Sequence, residues 1–385
     1  MILFKKSYFT FFFGTLALIA GVVGCSSSKT LPVHNIQLDL NTVATQESPL
    51  VWPVSKPIAP PDSLRPCCAF GYDMQVSLFG IPVPFYMLGN LVDLNALGVH
   101  SYNDSSLTGV ANITGLSREK LGVMYSNKGG FLDIAHIRDT ADNALYLFTQ
   151  IYPRLGQPFS LALSSELFER RIQFFPADIS KLTPVQRYTL AAYMASYAAY
   201  QMAVWHEVAQ WYGFQSVPGF SEEISAFSPE DLYSNLLGAR IATSVILEGN
   251  AVSVEQYNHA MQFALPKALL ALDGVSIAES KAKFQAIDGV WWDSQRRIPD
   301  KYLVLYRDYS LAHNRGPATL DGKGLQLALT DALYGFNFDQ LMEFQLWPTA
   351  KKGQEPYYFT LNDAQMMANQ AQVADEKRLQ RMRMK

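Results

Sequence analysis

The strongest pattern of hydrophobic positions is a long, Ala-rich segment that ends at Gly213. At its start, Thr183 is suited to a helix N-cap, Pro184 to the first helical position and Gln186 to the third, as in a capping box. Within the segment, apolar residues occur on almost every helical face, a pattern typical of a helix with neighbours on all sides. We therefore predict a central buried helix over about 184–212.

Weaker patterns predict the elements around this helix. Apolar residues at helical spacing predict a helix within "GGFLDIAHIRDTADNALYLFTQIY". Helix starts at Ser228 and Ser253 predict helices to about Leu247 and Leu272, and a polar helix closes the chain at about 362–383. Short strand-like runs accompany them in "MQVSLFGIPVPFYML", "EKLGVMYS", "FSLALSS", "RRIQFFP", "KYLVLYRDYS" and "YYFTLN". The predicted fold class is α+β, dominated by helices, with short strands flanking the central helix.

The amino-terminal pattern is that of a bacterial lipoprotein signal. Lys5 and Lys6 precede an apolar run over 8–23, which is shorter than a membrane span. Small residues lead to Cys25, as in a lipobox, a resemblance that implies cleavage after residue 24 and acylation of Cys25, for example by palmitate. Ser26 then implies delivery to the outer membrane, with the protein facing the periplasm. The lipid would be its membrane anchor.

Composition divides the remaining chain in two. Residues 25–66 contain the lipidated cysteine and a Pro-rich stretch, for which we predict an extended tether, and residues 67–385 are predicted to form a single globular domain. Charged residues make up 17% of the chain and the net charge is −3, which gives no indication of nucleic-acid binding.

Two histidines stand beside carboxylates in apolar helical sequence. His206 and Glu207 lie in "VWHEVAQWYG", and His136 lies in "DIAHIRDTADN". Zinc proteases of the gluzincin type place two histidines four residues apart on one helix, with a glutamate from a later helix, but Gln210 stands at the second position here. The match is therefore partial, and a zinc site would need His136 as the missing imidazole.

These residues predict a site for zinc or another divalent metal. In this hypothesis the metal would let the protein act as a hydrolase on an envelope substrate, with Glu207 as the base that activates water. The predicted metal ligands are His136, Asp139, His206 and Glu223, and the predicted supporting residues are Asp133 and Gln210.

Two alternatives remain open. The His/Glu pairs could be structural, in which case the protein is a non-catalytic binding or assembly module of the envelope. Alternatively, Cys68 could be the nucleophile of a cysteine hydrolase, with His100 and His136 following it in the chain. In an oxidising periplasm the adjacent Cys67 and Cys68 could also form a strained vicinal disulfide. Alternatively they could stay as thiols, pair between molecules or bind metal.

Four phrases together resemble an uncharacterised family of bacterial envelope lipoproteins, described only as a domain of unknown function: "RPCCAFG", "GGFLDIAHIRDTAD", "WHEVAQWYG" and "EEISAFSPEDLYSNLLGARIA". The resemblance covers about Cys67 to Leu361. It implies an envelope location and supplies no catalytic residues.

Overall fold

Three long helices form the centre of the fold, and they are α1 (Ile134–Ile151), α2 (Pro184–Trp211) and α3 (Asp231–Leu247). Helix α1 packs against both of the others, and α2 also packs against α3. Helix α2 begins with the predicted capping box between Thr183 and Gln186. Its buried residues occur on all faces, as the sequence pattern predicts.

The structure is a computed structural model that describes residues 38, 40, 46–62, 64–65, 69–78, 81–102, 119–216, 221–349 and 355–384. The predicted signal peptide, the lipidated Cys25, Cys67 and Cys68 lie outside these ranges. Residues Val33–Lys385 group into one compact unit. Among the described residues, none of the helices combines the length and the apolar character needed to cross a membrane.

Among the described residues, four further helices and a set of short sheets surround the three-helix centre. The helices are α4 (Val254–Ala271), α5 (Ile277–Ala286), α6 (Phe338–Leu341) and α7 (Leu361–Arg383). The strands are β1 (Met74–Leu78), β2 (Ile81–Leu88), β3 (Val123–Ser126), β4 (Gly130–Asp133), β5 (Phe159–Glu166), β6 (Phe168–Phe174), β7 (Arg297–Ile298), β8 (Asn314–Arg315), β9 (Leu327–Ala328), β10 (Ala332–Leu333), β11 (Phe336–Asn337) and β12 (Met342–Trp347).

The strands form small separate sheets rather than one continuous sheet. Strand β1 pairs with β2 and β7, and β6 lies between β5 and β12. Three two-stranded sheets join β3 with β4, β8 with β9, and β10 with β11. The prediction of a helix-dominated α+β fold is confirmed.

Four local predictions need correction. In "YYFTLN", Phe359 forms only an isolated bridge with Leu346, and α7 begins at Leu361. The segment before Ile134 is strand β4 rather than helix, because Asp133 caps α1 by accepting the N–H groups of Ala135 and His136. Helix α3 begins at Asp231 after Glu230, and not directly after Ser228. The run "KYLVLYRDYS" contains a short 3₁₀ turn at Lys301–Leu303 and no strand. Its apolar residues Leu303 and Val304 pack in a second hydrophobic cluster, separate from the main core.

Within the predicted tether, residues 46–62 and 64–65 contain no helix or strand and are bound to the domain. Ser48 Oγ and Trp52 Nε1 donate to the carbonyl of Leu247, at 2.7 and 2.9 Å. Ser55 N donates to Ala251 O at 3.2 Å. Polar anchoring and the indole of Trp52 therefore hold this Pro-rich segment against the end of α3.

Gly238 allows α1 and α3 to approach closely. A Cβ atom at this position would overlap the backbone carbonyl of Ile137 on α1. The contact is one residue from His136, so it sets the spacing between the two helices where candidate chemistry is found.

We expect Gly238→Ala to lower the free energy of unfolding by about 1–3 kcal/mol, because an added methyl group would force two packed backbones apart. Urea unfolding followed by circular dichroism measures this change. Gly89→Ala is the matched control, since a Cβ there meets open space. Equal unfolding midpoints for the two variants would contradict the close-packing interpretation.

Candidate metal centre and adjoining cleft

Asp133, His136 and Asp231 form a buried group with the spacing of metal ligands. One ligand atom from each lies within 4.8 Å of the others. His136 Nδ1 is 3.3 Å from Asp133 Oδ2 and 3.6 Å from Asp231 Oδ1. We call these three residues the metal-site group.

The group is assembled by two helix starts that face each other. Asp133 is the N-cap of α1, and Asp231 is the first residue of α3. The Asp133 N–H donates to Ser234 Oγ at 2.9 Å, and Thr140 Oγ1 donates to Asn235 Oδ1 at 2.6 Å. These cross-links fix α1 against α3, so the group is held by backbone and side-chain bonds from both helices.

Glu207 approaches His136 from the other side of the imidazole. Its Oε1 is 3.7 Å from His136 Nε2, and its Oε2 accepts the Phe227 N–H at 2.7 Å. Phe227 has a φ of 57°, in the left-handed region that is uncommon for residues other than glycine. This turn aims the Phe227 amide at Glu207 and fixes its carboxylate.

The acidic residues around His136 are difficult to keep ionised. Burial raises the pKa of Asp231 well above its usual value, and the neighbouring Glu230 and Glu207 add to the rise while His136 opposes it. Burial also raises the pKa of Glu230 to about 8 and raises the pKa of Glu207. Among the described residues, neither oxygen of Asp231 has a hydrogen-bond partner. His136 and Arg307 supply positive charge nearby, yet the pKa values of these buried carboxyl groups stay raised, and a bound cation would favour their ionised forms.

A cleft of about 200 Å³ adjoins this group. His136 and His206 both line it, and His136 is 8% exposed. His136 therefore connects the buried carboxylates with the cleft. Other residues that line the cleft include Arg65, Asp139, Glu166, Arg170 and Phe214.

His206 has its own carboxylate on the cleft wall. Its Nδ1 is 3.3 Å from Glu166 Oε2, and the same oxygen is 2.8 Å from Arg170 Nη1. Burial alone raises the pKa of Glu166, but Arg170 and His206 outweigh burial and lower it. Burial alone lowers the pKa of His206, but Glu166 outweighs burial and raises it.

The remaining predicted ligands are placed elsewhere. Asp139 accepts two bonds from Arg65, from the backbone N–H at 2.9 Å and from Nη1 at 2.7 Å. Glu223 contributes to the electrostatic surroundings of Lys301. Within the described residues, the cluster with metal-ligand spacing contains His136 but not Asp139, His206 or Glu223.

Of the two predicted supporting residues, one belongs to the metal-site group and the other does not. Asp133 joins the metal-site group directly. Gln210, which stands where a gluzincin has its second histidine, donates from Nε2 to Glu222 Oε2 at 3.1 Å. The structure therefore brings together Asp133, His136 and Glu207 from the predicted set.

Asp231, Glu166 and Arg170 are the site residues that sequence reasoning missed. An acidic residue at a helix start is ordinarily explained by the helix dipole, so Asp231 gives no separate signal. Glu166 and Arg170 lie at the facing ends of β5 and β6. Their spacing is visible in the sequence, but their proximity to His206 depends on where that hairpin packs.

His100, the second residue of the cysteine-hydrolase alternative, is held in a different network. Its Nε2 is 2.9 Å from Asp142 Oδ1, and its Nδ1 is 3.0 Å from Arg138 Nη1. Both ring nitrogens are thus engaged. Cys68 itself lies outside the described residues.

The fold and site together define a helix-dominated α+β protein with a buried candidate metal centre beside a cleft. Residues 55–321 match the DUF4056 family, whose description is "Protein of unknown function", and the chain belongs to this family. Neither the curated proteins nor the solved structures contain a match to the chain.

Proposed function

We propose that this protein is a metal-dependent hydrolase of the bacterial envelope, with zinc or another divalent cation held by Asp133, His136 and Asp231. The proposal includes attachment to the outer membrane through lipid on Cys25, with the globular domain in the periplasm. It revises the ligand set predicted from the sequence by replacing Asp139, His206 and Glu223 with the two aspartates.

The observation that carries the proposal is the position of Asp231. Its buried carboxylate faces His136 Nδ1 at 3.6 Å, and Asp133 is 3.3 Å from the same nitrogen. Ligands at bonds of ~2.0–2.1 Å in tetrahedral zinc sites are ~3.3–3.5 Å from one another. The two separations therefore suit atoms that share one small cation.

The chemistry of the donor set is also suitable. One imidazole and two carboxylates form a three-ligand set, and a catalytic zinc site has three protein ligands and an open position. A cation bound there would lower the pKa of its water and supply a nucleophile near neutral pH. Glu207 faces the other nitrogen of His136, where a carboxylate orients a ligating imidazole.

The location part of the proposal has separate support. The basic start, the apolar run and the small residues before Cys25 form a coherent lipoprotein signal. An envelope substrate follows from that location. Globomycin sensitivity of processing and the fractionation of a Cys25→Ala variant test the location independently of the chemistry.

We expect the protein comprising residues 26–385 to bind close to one equivalent of zinc or another divalent metal, and Asp231→Asn to reduce bound metal at least tenfold. The amide keeps the shape of the side chain but removes the anionic ligand. Elemental analysis after incubation with zinc, manganese or iron(II) and desalting measures the effect. His136→Ala should give the same loss.

The matched controls are Glu223→Gln and His206→Ala, which alter ligands predicted from sequence that lie outside the metal-site group. Both should retain the metal. Loss of metal in these controls but not in Asp231→Asn would overturn the revised ligand set. A wild-type protein that binds none of the metals would overturn the proposed function and favour a non-catalytic binding or assembly module.

A further inference from the structure

We propose that His206, oriented by Glu166, is the proton donor to the leaving group in the reaction, which makes the substrate class an ester or amide with a poor leaving group. The leaving atom would be an alkoxide oxygen or an amine nitrogen. This inference rests on the proposed function, because it assigns a second catalytic residue to the same cleft.

The imidazole of His206 is close to a carboxylate and lines the cleft that His136 also lines. Its Nδ1 is 3.3 Å from Glu166 Oε2, an ion-pair distance, and among the described residues neither atom has an aligned hydrogen bond. Because Nδ1 is the ring nitrogen paired with the carboxylate, we assign Nε2 to a molecule in the cleft. Phe214 contacts the ring edge-on, with centroids 6.0 Å apart. A carboxylate behind an imidazole fixes its tautomer and orientation for proton transfer.

Glu166 has a partner other than His206. Arg170 Nη1 is 2.8 Å from Glu166 Oε2, and Arg170 also donates to Ser164 through Nε and Nη2. The charge of Glu166 is therefore already compensated on its own hairpin. His206 is therefore a second basic partner of the same oxygen, in a cleft that His136 also lines.

Acidic groups surround His206 on more than one side. Glu166 lies near it on β5, Glu207 is the next residue on α2, and Glu222 lies in the segment before α3. The negative charge of each raises the pKa of His206. All three favour the imidazolium form, against the effect of burial. A protonated His206 can serve as a general acid at neutral pH.

The proposed step is balanced in atoms and charge. A water molecule adds to the carbonyl carbon, and the carbonyl π electrons move to the carbonyl oxygen. They re-form the double bond as the bond from that carbon to the leaving atom breaks. The leaving atom takes the proton from Nε2 of His206, which becomes neutral. The proton released by the attacking water returns to His206, so the products are an acid and an alcohol or amine.

The first test needs no natural substrate. Diethyl pyrocarbonate modifies the neutral imidazole, and peptide mass spectrometry after treatment of the metal-loaded protein at pH 5–9 gives the rate at each histidine. We expect His206 to be modified in wild type, with its half-maximal pH shifted downward by about one unit in Glu166→Gln. His259, which is partly exposed, is the internal reference whose profile should not change.

The second test uses acetate esters with different leaving groups. Phenyl acetate has the poorer leaving group and p-nitrophenyl acetate the better one. Only the hydrolysis of phenyl acetate should therefore depend strongly on proton donation to the leaving group. We expect His206→Gln to lower phenyl acetate hydrolysis by about 10²–10⁴-fold, with a much smaller effect on p-nitrophenyl acetate. Elemental analysis of the same samples should show that the variant retains the metal.

These measurements separate the two proposals. An unreactive His206, or a profile unchanged in Glu166→Gln, overturns the proton-donor role even if the metal is bound. An equal loss with both esters also overturns it. A reactive, Glu166-dependent His206 in a protein that binds no metal supports the proton-donor geometry and overturns the metal-dependent function.

Discussion

Replacing Arg65 with methionine should destabilise the protein by about 3–5 kcal/mol, because buried carboxylates would lose their charge partner. Arg65 Nε is 2.6 Å from Glu119 Oε2, and its Nη1 is 2.7 Å from Asp139 and 2.9 Å from Asp142. The Arg65 side chain is 1% exposed. Methionine preserves much of the apolar stem but cannot neutralise these groups.

The free energy of unfolding, from urea titration monitored by circular dichroism, measures this effect. Arg296→Met is the matched control, because Arg296 also bridges two aspartates, Asp293 and Asp300, but with a side chain that is 28% exposed. Its loss should cost no more than about 1 kcal/mol, as is usual for ion pairs at the surface. Comparable costs for the two variants would show that the Arg65 network adds little.

The position of Arg65 gives this network a second consequence. Arg65 belongs to the Pro-rich segment and also lines the cleft. Its bonds to Asp139 join that segment to α1, four residues before Asn143 on the same cleft wall. The segment that the composition predicts to be a tether therefore contributes a wall of the candidate site at its carboxyl end.

Removing the metal should lower the stability of the wild-type protein by about 4 kcal/mol when the free metal concentration beforehand is a thousand times the dissociation constant. A metal held by the metal-site group would bind only the folded protein, so its binding free energy would add to folding. Without it, Asp231 is a buried carboxylate with neither oxygen hydrogen-bonded among the described residues. Thermal unfolding with and without a chelator measures the change.

Asp231→Asn is the control for this experiment. It should unfold at the same temperature with and without the chelator, because it lacks an anionic ligand. It should also be more stable than the chelated wild type, since the amide is neutral at every pH, whereas burial raises the pKa of Asp231 and folding without metal therefore requires proton uptake. A chelator effect of equal size in the variant would place the bound metal elsewhere on the protein.

The sequence predicted half of the candidate site for a clear physical reason. Polar residues that interrupt an apolar helix are costly to bury unless they have hydrogen-bond or charge partners. His136 and His206 were therefore identifiable as candidate site residues from the apolar sequence around them. Asp139 satisfied the same helical spacing, yet it binds Arg65, which is distant in the chain. Helical spacing shows which residues share a face, but it does not show what that face meets.

Helix starts were predicted best where the signal was local. The Thr183 capping box and the Ser253 cap depend on residues within one turn, and both occur in the structure. The start of α3 was predicted two residues early, at 229 instead of Asp231, because Ser228 bonds to Glu230 before the helix begins. Strand β4 was missed because its apolar residues fit a helical period as well as an extended one.

The sequence by itself determined the α+β class, the central buried helix and the presence of polar chemistry at His136 and Glu207, since these follow from patterns within single segments. Only the tertiary structure decided which partners those residues have. Asp231 reaches His136 because Gly238 lets α3 approach α1, and Glu166 reaches His206 because the β5–β6 hairpin packs beside α2. Contacts between distant segments depend on packing, which local periodicity does not encode.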